Sequence, residues 1–508
     1  MRRARAAASF ILLLVLAAPL HAQDLASIEK RVTVHKLANG LTLVVMERPE
    51  APVFSFATVA NVGSAQEVPG ITGLAHMFEH MAFKGTTKIG TTDYAKEKIA
   101  LSNVEKAYAA YDHERRKRVG RDEAKVAQLE KQWHAAMDAA DKYVVPNEFS
   151  KILDREGAVG VNAFTQSDDT VFFYSFPSNR VELWAYLESE RFLHPVFREF
   201  YKERDVVTEE RRMRTESNPV GRLIEQFLET AFSAHAYRQP TVGWPSDLRT
   251  FSATDAAAFY KKYYVPADLV VAVVGDVKAS QVIPIVDKYF GRLPKEPLPP
   301  PNRTIEPPQI SERTVVLHEA AQPFYVEGYH RPAATDPDNA TYDVLEMLMS
   351  NGRTSRLYRS LVRDKKIAAA AAGFNGFPGE KYPNLFVVFA VPTPGHTAAE
   401  MEPAIHEEIA KLQNEPVSAE ELQSVKTRAK AQLIRQLDSN SGLALQLAAY
   451  QTLYGDWREL FREVDEIDKV TPADVQRVAR TLFVPSNRTV GMIESAKPAA
   501  APAKGGER

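Results

Sequence analysis

Residues 70–86 read Gly70-Ile-Thr-Gly73-Leu-Ala-His76-Met-Phe-Glu79-His80-Met-Ala-Phe-Lys-Gly85-Thr86, and the rest of the chain is read outward from them. Residues four apart lie on one face of a helix, so His76 and His80 can reach one ion, and Glu79 stands about 60° round from His76. Two neutral imidazoles with one or more carboxylates make a zinc ligand set, and the third side chain is placed to take a proton from water. Leu74, Met77, Phe78 and Met81 form an apolar stripe, Gly70 and Gly73 open the segment and Gly85 closes it. That pattern predicts a packed amphipathic helix over 71–83 rather than a chance grouping of histidines.

Length and charge bound the rest. A chain of 508 residues is too long for one core and implies two to four domains. A net charge of -2, with 25% charged residues, gives no basic surface for nucleic acid and no polybasic membrane anchor. Arg2, Arg3 and Arg5 precede an apolar run from Phe10 to Ala18, then Pro19 and a small-residue site ending at Ala22. This reads as a signal peptide over 1–22, too short to span a bilayer, with a mitochondrial presequence as the competing reading. It places the expected mature chain, soluble, in the periplasm of a Gram-negative bacterium. The absence of cysteine excludes disulfides and thiolate zinc ligands.

Along the chain, 32–46 alternates like two strands across Asn39-Gly40, and 54–62 reads as a third strand before the histidine helix. Residues 93–142 turn highly charged, with DHERRKRVGRDEAK in the middle, and read as a solvated helical insertion. The segment 157–177 reads as a turn followed by strands. A helix from Glu199 carries Glu203 and Glu210 seven apart on one face, with Val206 and Met213 as an inward stripe beside them. Proline-rich residues within 293–312 read as a linker, after which the order of elements starts again. The expected division is a domain at 28–292 that holds the histidine pair, a second copy of the same α+β plan at 313–495, and a disordered tail at 496–508. In the second copy the corresponding helix reads TYDVLEMLMSNG, without metal ligands.

From 28 to 495 the chain resembles the M16 (pitrilysin/insulinase) zinc metallopeptidases, in particular their half-clamshell bacterial and processing-type subunits. The resemblance rests on the H-x-x-E-H helix, the Gly160-Val-Asn162-Ala163-Phe-Thr165 segment and Glu203-Arg-Asp-Val-Val-Thr-Glu209-Glu210. It implies two tandem homologous α/β domains of the LuxS/metallohydrolase-like type and one zinc ion per chain. His76, His80 and Glu210 match its ligands, Glu79 its general base and Glu203 its supporting acid. Asn162 and Ala163 match an edge strand that holds substrate in extended form. Glu209, next to Glu210, is the rival third ligand, but points about 100° away. The interval from His80 to Glu210 is longer than the family's, and the 93–142 insertion absorbs it. The implied activity is endopeptidase cleavage of peptides or unfolded polypeptides in an enclosed chamber. A non-catalytic peptide-binding or assembly subunit is the alternative.

Members that act alone or as homodimers carry a Leu-Arg pair in the second domain, followed about seven residues on by a tyrosine; both residues reach the active site. Here the matching stretch runs from Leu361 through Arg363 to Ala372, with alanine in place of the tyrosine. The resemblance therefore implies a heterodimer in which a zinc-less M16-like subunit supplies Arg and Tyr. A homodimer comes second, and Tyr358 or Tyr382 is the substitute from nearby.

Overall fold

A computed structural model describes residues 28–350 and 352–495. The expected signal peptide and tail lie outside these residues. Eleven strands form two sheets: β1 (Val32–Lys36), β2 (Thr42–Glu47), β3 (Val53–Ala60), β4 (Val159–Thr165), β5 (Thr170–Pro177) and β6 (Leu269–Gly275) in the first, and β7 (Arg313–Glu319), β8 (Phe324–Arg331), β9 (Ala368–Phe377), β10 (Asn384–Pro392) and β11 (Arg488–Ser495) in the second. The first sheet runs β1-β2-β6-β3-β5-β4 and the second β7-β11-β8-β10-β9. Apart from β1, the two orders match strand for strand. Each has its parallel pair at the same end, β2 beside β6 and β7 beside β11. The fold is thus two tandem α/β units on one plan.

The helices that matter below are α1 (Leu74–Met81), α2 (Tyr94–Arg115), α3 (Glu123–Asp141), α4 (Phe200–Arg211), α5 (Asn339–Ser350) and α6 (Asn440–Tyr454). Strand β6, LVVAVVG, is buried on both faces. Its alternation divides the two layers: Leu269, Val271 and Val273 pack in one core with Leu74, Met77 and Phe78 of α1, while Val270, Ala272 and Val274 pack with Leu443, Ala444 and Leu447 of α6. The helix from the second half of the chain thereby covers the first sheet's outer face, and α1 lies on the other.

The charged excursion is a helical hairpin of α2 and α3, with its most basic residues at the turn. Tyr108 and Trp133 from the hairpin pack against Tyr201 of α4, Trp133 edge-on, and the Arg204 guanidinium lies over all three rings. The proline-rich stretch before β7 has no regular element but is fixed: Glu306 accepts hydrogen bonds from the backbone N–H groups of Ser233, Ala234 and His235 at 2.7–2.8 Å. A shared core joins the units, where Leu223 and Phe227 pack against Val326, Leu385 and Ile493. The Phe227 ring lies against two glycines of the second sheet, Gly328 and Gly491. A Cβ at Gly328 would come within 2.7 Å of the ring and one at Gly491 within 3.2 Å.

One expectation is overturned. Val206 and Met213 do not face inward: they are 52% and 58% exposed. The buried stripe of α4 is Phe200, Arg204, Val207 and Arg211. Arg204 donates to Phe251 O (3.0 Å) and Tyr108 OH (2.9 Å), and Arg211 donates to Gly243 O (2.8 Å) and pairs with Glu225 (2.8 Å), so charge is tolerated on the inward face.

Candidate metal centre

Helix α1 is held at its start by two carboxylates. Glu67 accepts from Gly73 N (2.7 Å) and Ala75 N (2.8 Å), and Asp247 accepts from Gly70 N, Thr72 N and Thr72 Oγ1 at 2.7–3.1 Å. The bonds to Glu67 satisfy donors that a helix start leaves free, and those to Asp247 hold the turn just before it. Gly73 precedes the helix at φ +93°, in the left-handed region that suits glycine. Phe78 packs the apolar face against the stacked rings of Tyr260 and Tyr264, at 4.6 and 4.3 Å. With that face committed, His76, Glu79 and His80 turn toward β4 and α4.

There they meet Glu210. His76 Nε2 lies 3.5 Å from Glu210 Oε1, and His80 Nε2 3.3 Å from Glu210 Oε2. These side chains offer three ligand atoms within 4.8 Å of one another, the one such histidine and acid grouping among the described residues. Two imidazole nitrogens and one carboxylate fit zinc by donor type, and three protein ligands leave the fourth position of a catalytic site open. His80 Nδ1 bonds Glu203 Oε1 at 3.0 Å, and Glu203 Oε2 pairs with Lys84 Nζ at 2.5 Å. A carboxylate behind the second ring nitrogen fixes the tautomer that presents Nε2 to a metal.

Electrostatics separates the roles. Burial, aided by the charge of His80, pushes His76 down to about 4, so it is neutral with a free lone pair. Burial also disfavours the charged form of His80, but hydrogen bonds to Glu203 and Glu210 outweigh it and raise His80 to about 9. Burial opposes ionisation of Glu203 as well, yet His80 and Lys84 hold it down at about 2. The hydrogen bond from His80 lowers Glu210. Glu79 goes the other way: burial raises it, against the hydrogen bond that Thr165 Oγ1 donates to Glu79 Oε2 at 2.6 Å. A carboxylate raised in this way is better matched to accepting and returning a proton near neutral pH.

Sequence reasoning placed Thr165 in the motif segment without giving it a role, and did not single out Arg214. Thr165 ends the same strand as Asn162 and Ala163, and only the fold brings it to Glu79. Arg214, 67% exposed, pairs with Glu210 Oε1 at 2.9 Å. Asn162 and Ala163 lie on β4, the edge strand of the first sheet, where Asn162 Oδ1 accepts from Ala163 N. Glu209 is exposed and bound to Arg212, away from the histidines. Arg363 is exposed and bonds Asp364 at 2.6 and 2.9 Å. Among the described residues, no hydrogen bond, ion pair or ring contact joins Arg363, Tyr358 or Tyr382 to His76, His80 or Glu210.

Two family models match the chain: Insulinase (Peptidase family M16) over residues 43–114, which contains the H-x-x-E-H helix, and Peptidase M16 inactive domain over 250–429, which contains most of the second sheet. The zinc protease PqqE of Helicobacter pylori is 28% identical over 489 residues, covering 95% of this chain and 96% of that protein. The crystal structure of a protease from Helicobacter pylori superposes with a TM-score of 0.76 at 27% identity, over 91% of this chain and 99% of that one. The periplasmic protease PqqL from Escherichia coli shares the fold at a TM-score of 0.68 and 17% identity. That match covers 93% of this chain but 49% of PqqL. The chain belongs to the M16 (insulinase) peptidase family.

Proposed function

We propose that this chain is a zinc-dependent endopeptidase acting on flexible peptides and unfolded polypeptides. The observation that carries the reading is the convergence of His76, His80 and Glu210 with a raised carboxyl, Glu79, beside them. His76 and His80 would hold one zinc ion through Nε2, and Glu210 through a carboxylate oxygen. Zinc, when bound, supplies Lewis-acid chemistry, acidifying water and polarising a scissile carbonyl. Glu79 accepts the proton of the attacking water and returns it to the leaving amine, with Thr165 fixing which carboxylate oxygen does so. Glu203 is a positioning acid: it orients His80 and touches no reacting atom. The free edge of β4 at Asn162 and Ala163 takes the substrate as an added strand, which selects extended chains over folded ones.

Activity requires a second M16-like subunit that supplies an arginine and a tyrosine, because Arg363 lies outside the site and alanine follows where a tyrosine is needed. PqqL, of which this chain matches half the length, supports pairing of two such halves. A homodimer is the second reading. Residues 1–22 direct export to the periplasm, and among the described residues no helix is long and apolar enough to cross a membrane.

The test is hydrolysis of unstructured peptides of some tens of residues by the zinc-loaded chain, alone and with an exported zinc-less homologue, each with and without chelator. Chelator-sensitive cleavage that rises on mixing is expected. Chelator-resistant cleavage, or equal rates on a folded protein and its unfolded form, contradicts the proposal.

A further inference from the structure

The second unit has its own counterpart of the metal centre. Helix α5 packs on the edge strand β9 as α1 packs on β4. Gly85 and Gly352 follow the two helices, both at left-handed φ, +96° and +80°. Counted back from these glycines, Asp343 falls at the place of His76 and Glu346 at that of Glu79. The helix read from sequence as lacking ligands therefore presents carboxylates. Beside them is a cavity with about 40 Å³ of room, lined by Asp343, Glu380, Glu463, Asn384, Tyr450 and Tyr454, with Arg331 on one wall. That is space for a few water-sized groups.

The cation of the lining, Arg331, is engaged elsewhere and leaves three acids facing one guanidinium. Arg331 donates to neutral acceptors, Pro332 O (2.8 Å), Ala333 O (3.2 Å), Asn339 Oδ1 (2.8 Å) and Asn375 Oδ1, and lies over the Tyr342 ring at 4.3 Å. It forms no ion pair with the three acids. Asn384 is fully buried; its Nδ2 donates to Tyr382 O at 3.0 Å, while its Oδ1 has no partner among the described residues. An acceptor in that state, on the wall of an acid-lined cavity, calls for a donor. Burial raises Asp343 to about 6, against a hydrogen bond from Asn375 and the charge of Arg331, and burial with repulsion from Asp343 and Glu380 raises Glu463 to about 8, so both acids resist ionising without a further counter-charge. The rings of Tyr450 and Tyr454, 5.4 Å apart, add π faces.

A bare metal ion fits poorly, since the acids do not bring three ligand atoms within 4.8 Å of one another as the zinc-site residues do. A guanidinium carries its donors on three nitrogens and so spans that wider spacing, while an alkylammonium can bond two of the acceptors and lay its stem on the tyrosine rings. We propose that this cavity binds a guanidinium or alkylammonium group through Asp343, Glu380, Glu463 and Asn384 Oδ1. The group's source is either a basic side chain of a bound polypeptide, which rests on the peptidase reading above, or a free small cation.

The test is ligand-detected NMR on the full, zinc-loaded chain with methylguanidinium, and with n-butanol as a neutral control for n-butylammonium. A second arm uses an end-blocked peptide with one central arginine and its glutamine counterpart, on a Glu79→Gln background so that nothing is cut. Both cations are expected to bind in preference to butanol. Glu380→Gln and Glu463→Gln should each weaken them at least fivefold, while Glu209→Gln, at an exposed acid outside both sites, leaves them unchanged. Glu380 lines the cavity but is exposed, so its variant tests the site even where the Glu463 variant folds poorly. Arginine-peptide binding that falls in the same variants identifies a polypeptide as the source, and cation binding without it identifies a free small cation. No preference over butanol, unchanged affinity in both variants, or replacement of the cations by calcium or magnesium overturns the proposal. None of these readouts requires turnover, so failure here is distinct from failure of the peptidase reading.

Discussion

Glu203 stands directly behind His80: its Oε1 is 3.0 Å from His80 Nδ1, while His80 Nε2 faces Glu210 on the opposite side of the ring. The seven-residue step from Glu203 to Glu210, two turns of α4, lets one helix both orient the imidazole and supply the facing carboxylate. Glu203→Gln keeps the size of the side chain but removes its charge. Zinc affinity, measured by chelator competition, should fall about 10- to 100-fold without being abolished. An unchanged affinity would remove Glu203 from the site.

Thr165 makes a different contribution, because its hydroxyl holds the base and touches no expected ligand. Thr165→Val should leave zinc content intact and lower kcat by about tenfold or more, the scale of a lost hydrogen bond to a charged group. A change confined to KM would instead place Thr165 in substrate binding.

Glu67 acts on the helix as a whole. Both of its oxygens accept backbone N–H groups, so Glu67→Gln turns an amide NH2 toward one of those donors. The expected cost is about 1–3 kcal/mol of stability, measured by denaturant unfolding, with zinc affinity weakened in step. Wild-type stability in this variant would show that α1 does not depend on the cap.

Glu463 gives a pH signature. Burial, with the nearby Asp343, raises its carboxyl from 4.5 to about 8, and Tyr450 OH donates to it. Between those values the folded chain keeps a proton that the unfolded chain has released, so its stabilising contribution, complete below about 4.5, is lost as pH rises through about 8. The amide introduced by Glu463→Gln cannot ionise. The Tm of this variant relative to the wild type should therefore climb from pH 4.5 to 8 and level off above. A difference independent of pH would contradict the raised carboxyl. Asp343 and Glu380 titrate in both proteins, so the comparison isolates position 463 and its coupling to them.

The features legible in the sequence are those with local periodicity. The four-residue step in α1 and the seven-residue step in α4 bring His76, His80, Glu203 and Glu210 to their faces, and strand alternation with Asn39-Gly40 gives the first hairpin. What was not legible depends on partners distant in sequence. Val206 and Met213 look like a core stripe until Arg204 and Arg211 find carbonyl acceptors on other segments. Thr165 reaches Glu79 across 86 residues. Strand β9 begins with a run of alanines, which favours helix by intrinsic propensity, and only pairing with β10 makes it a strand. Asp343 and Glu346 have no histidine spacing to mark them, and their common ground with the metal centre emerges from the matched order of the two sheets.

The most direct measurement of the central claim pairs zinc content with peptide turnover in Glu79→Gln, beside His76→Ala and Glu210→Gln, each assayed with the second subunit present. Glu79→Gln should hold as much zinc as the wild type and lose essentially all hydrolysis, whereas the other two should lose both. Turnover by Glu79→Gln at the wild-type rate would contradict the assignment of the base, and full zinc content in His76→Ala and Glu210→Gln would contradict the metal site.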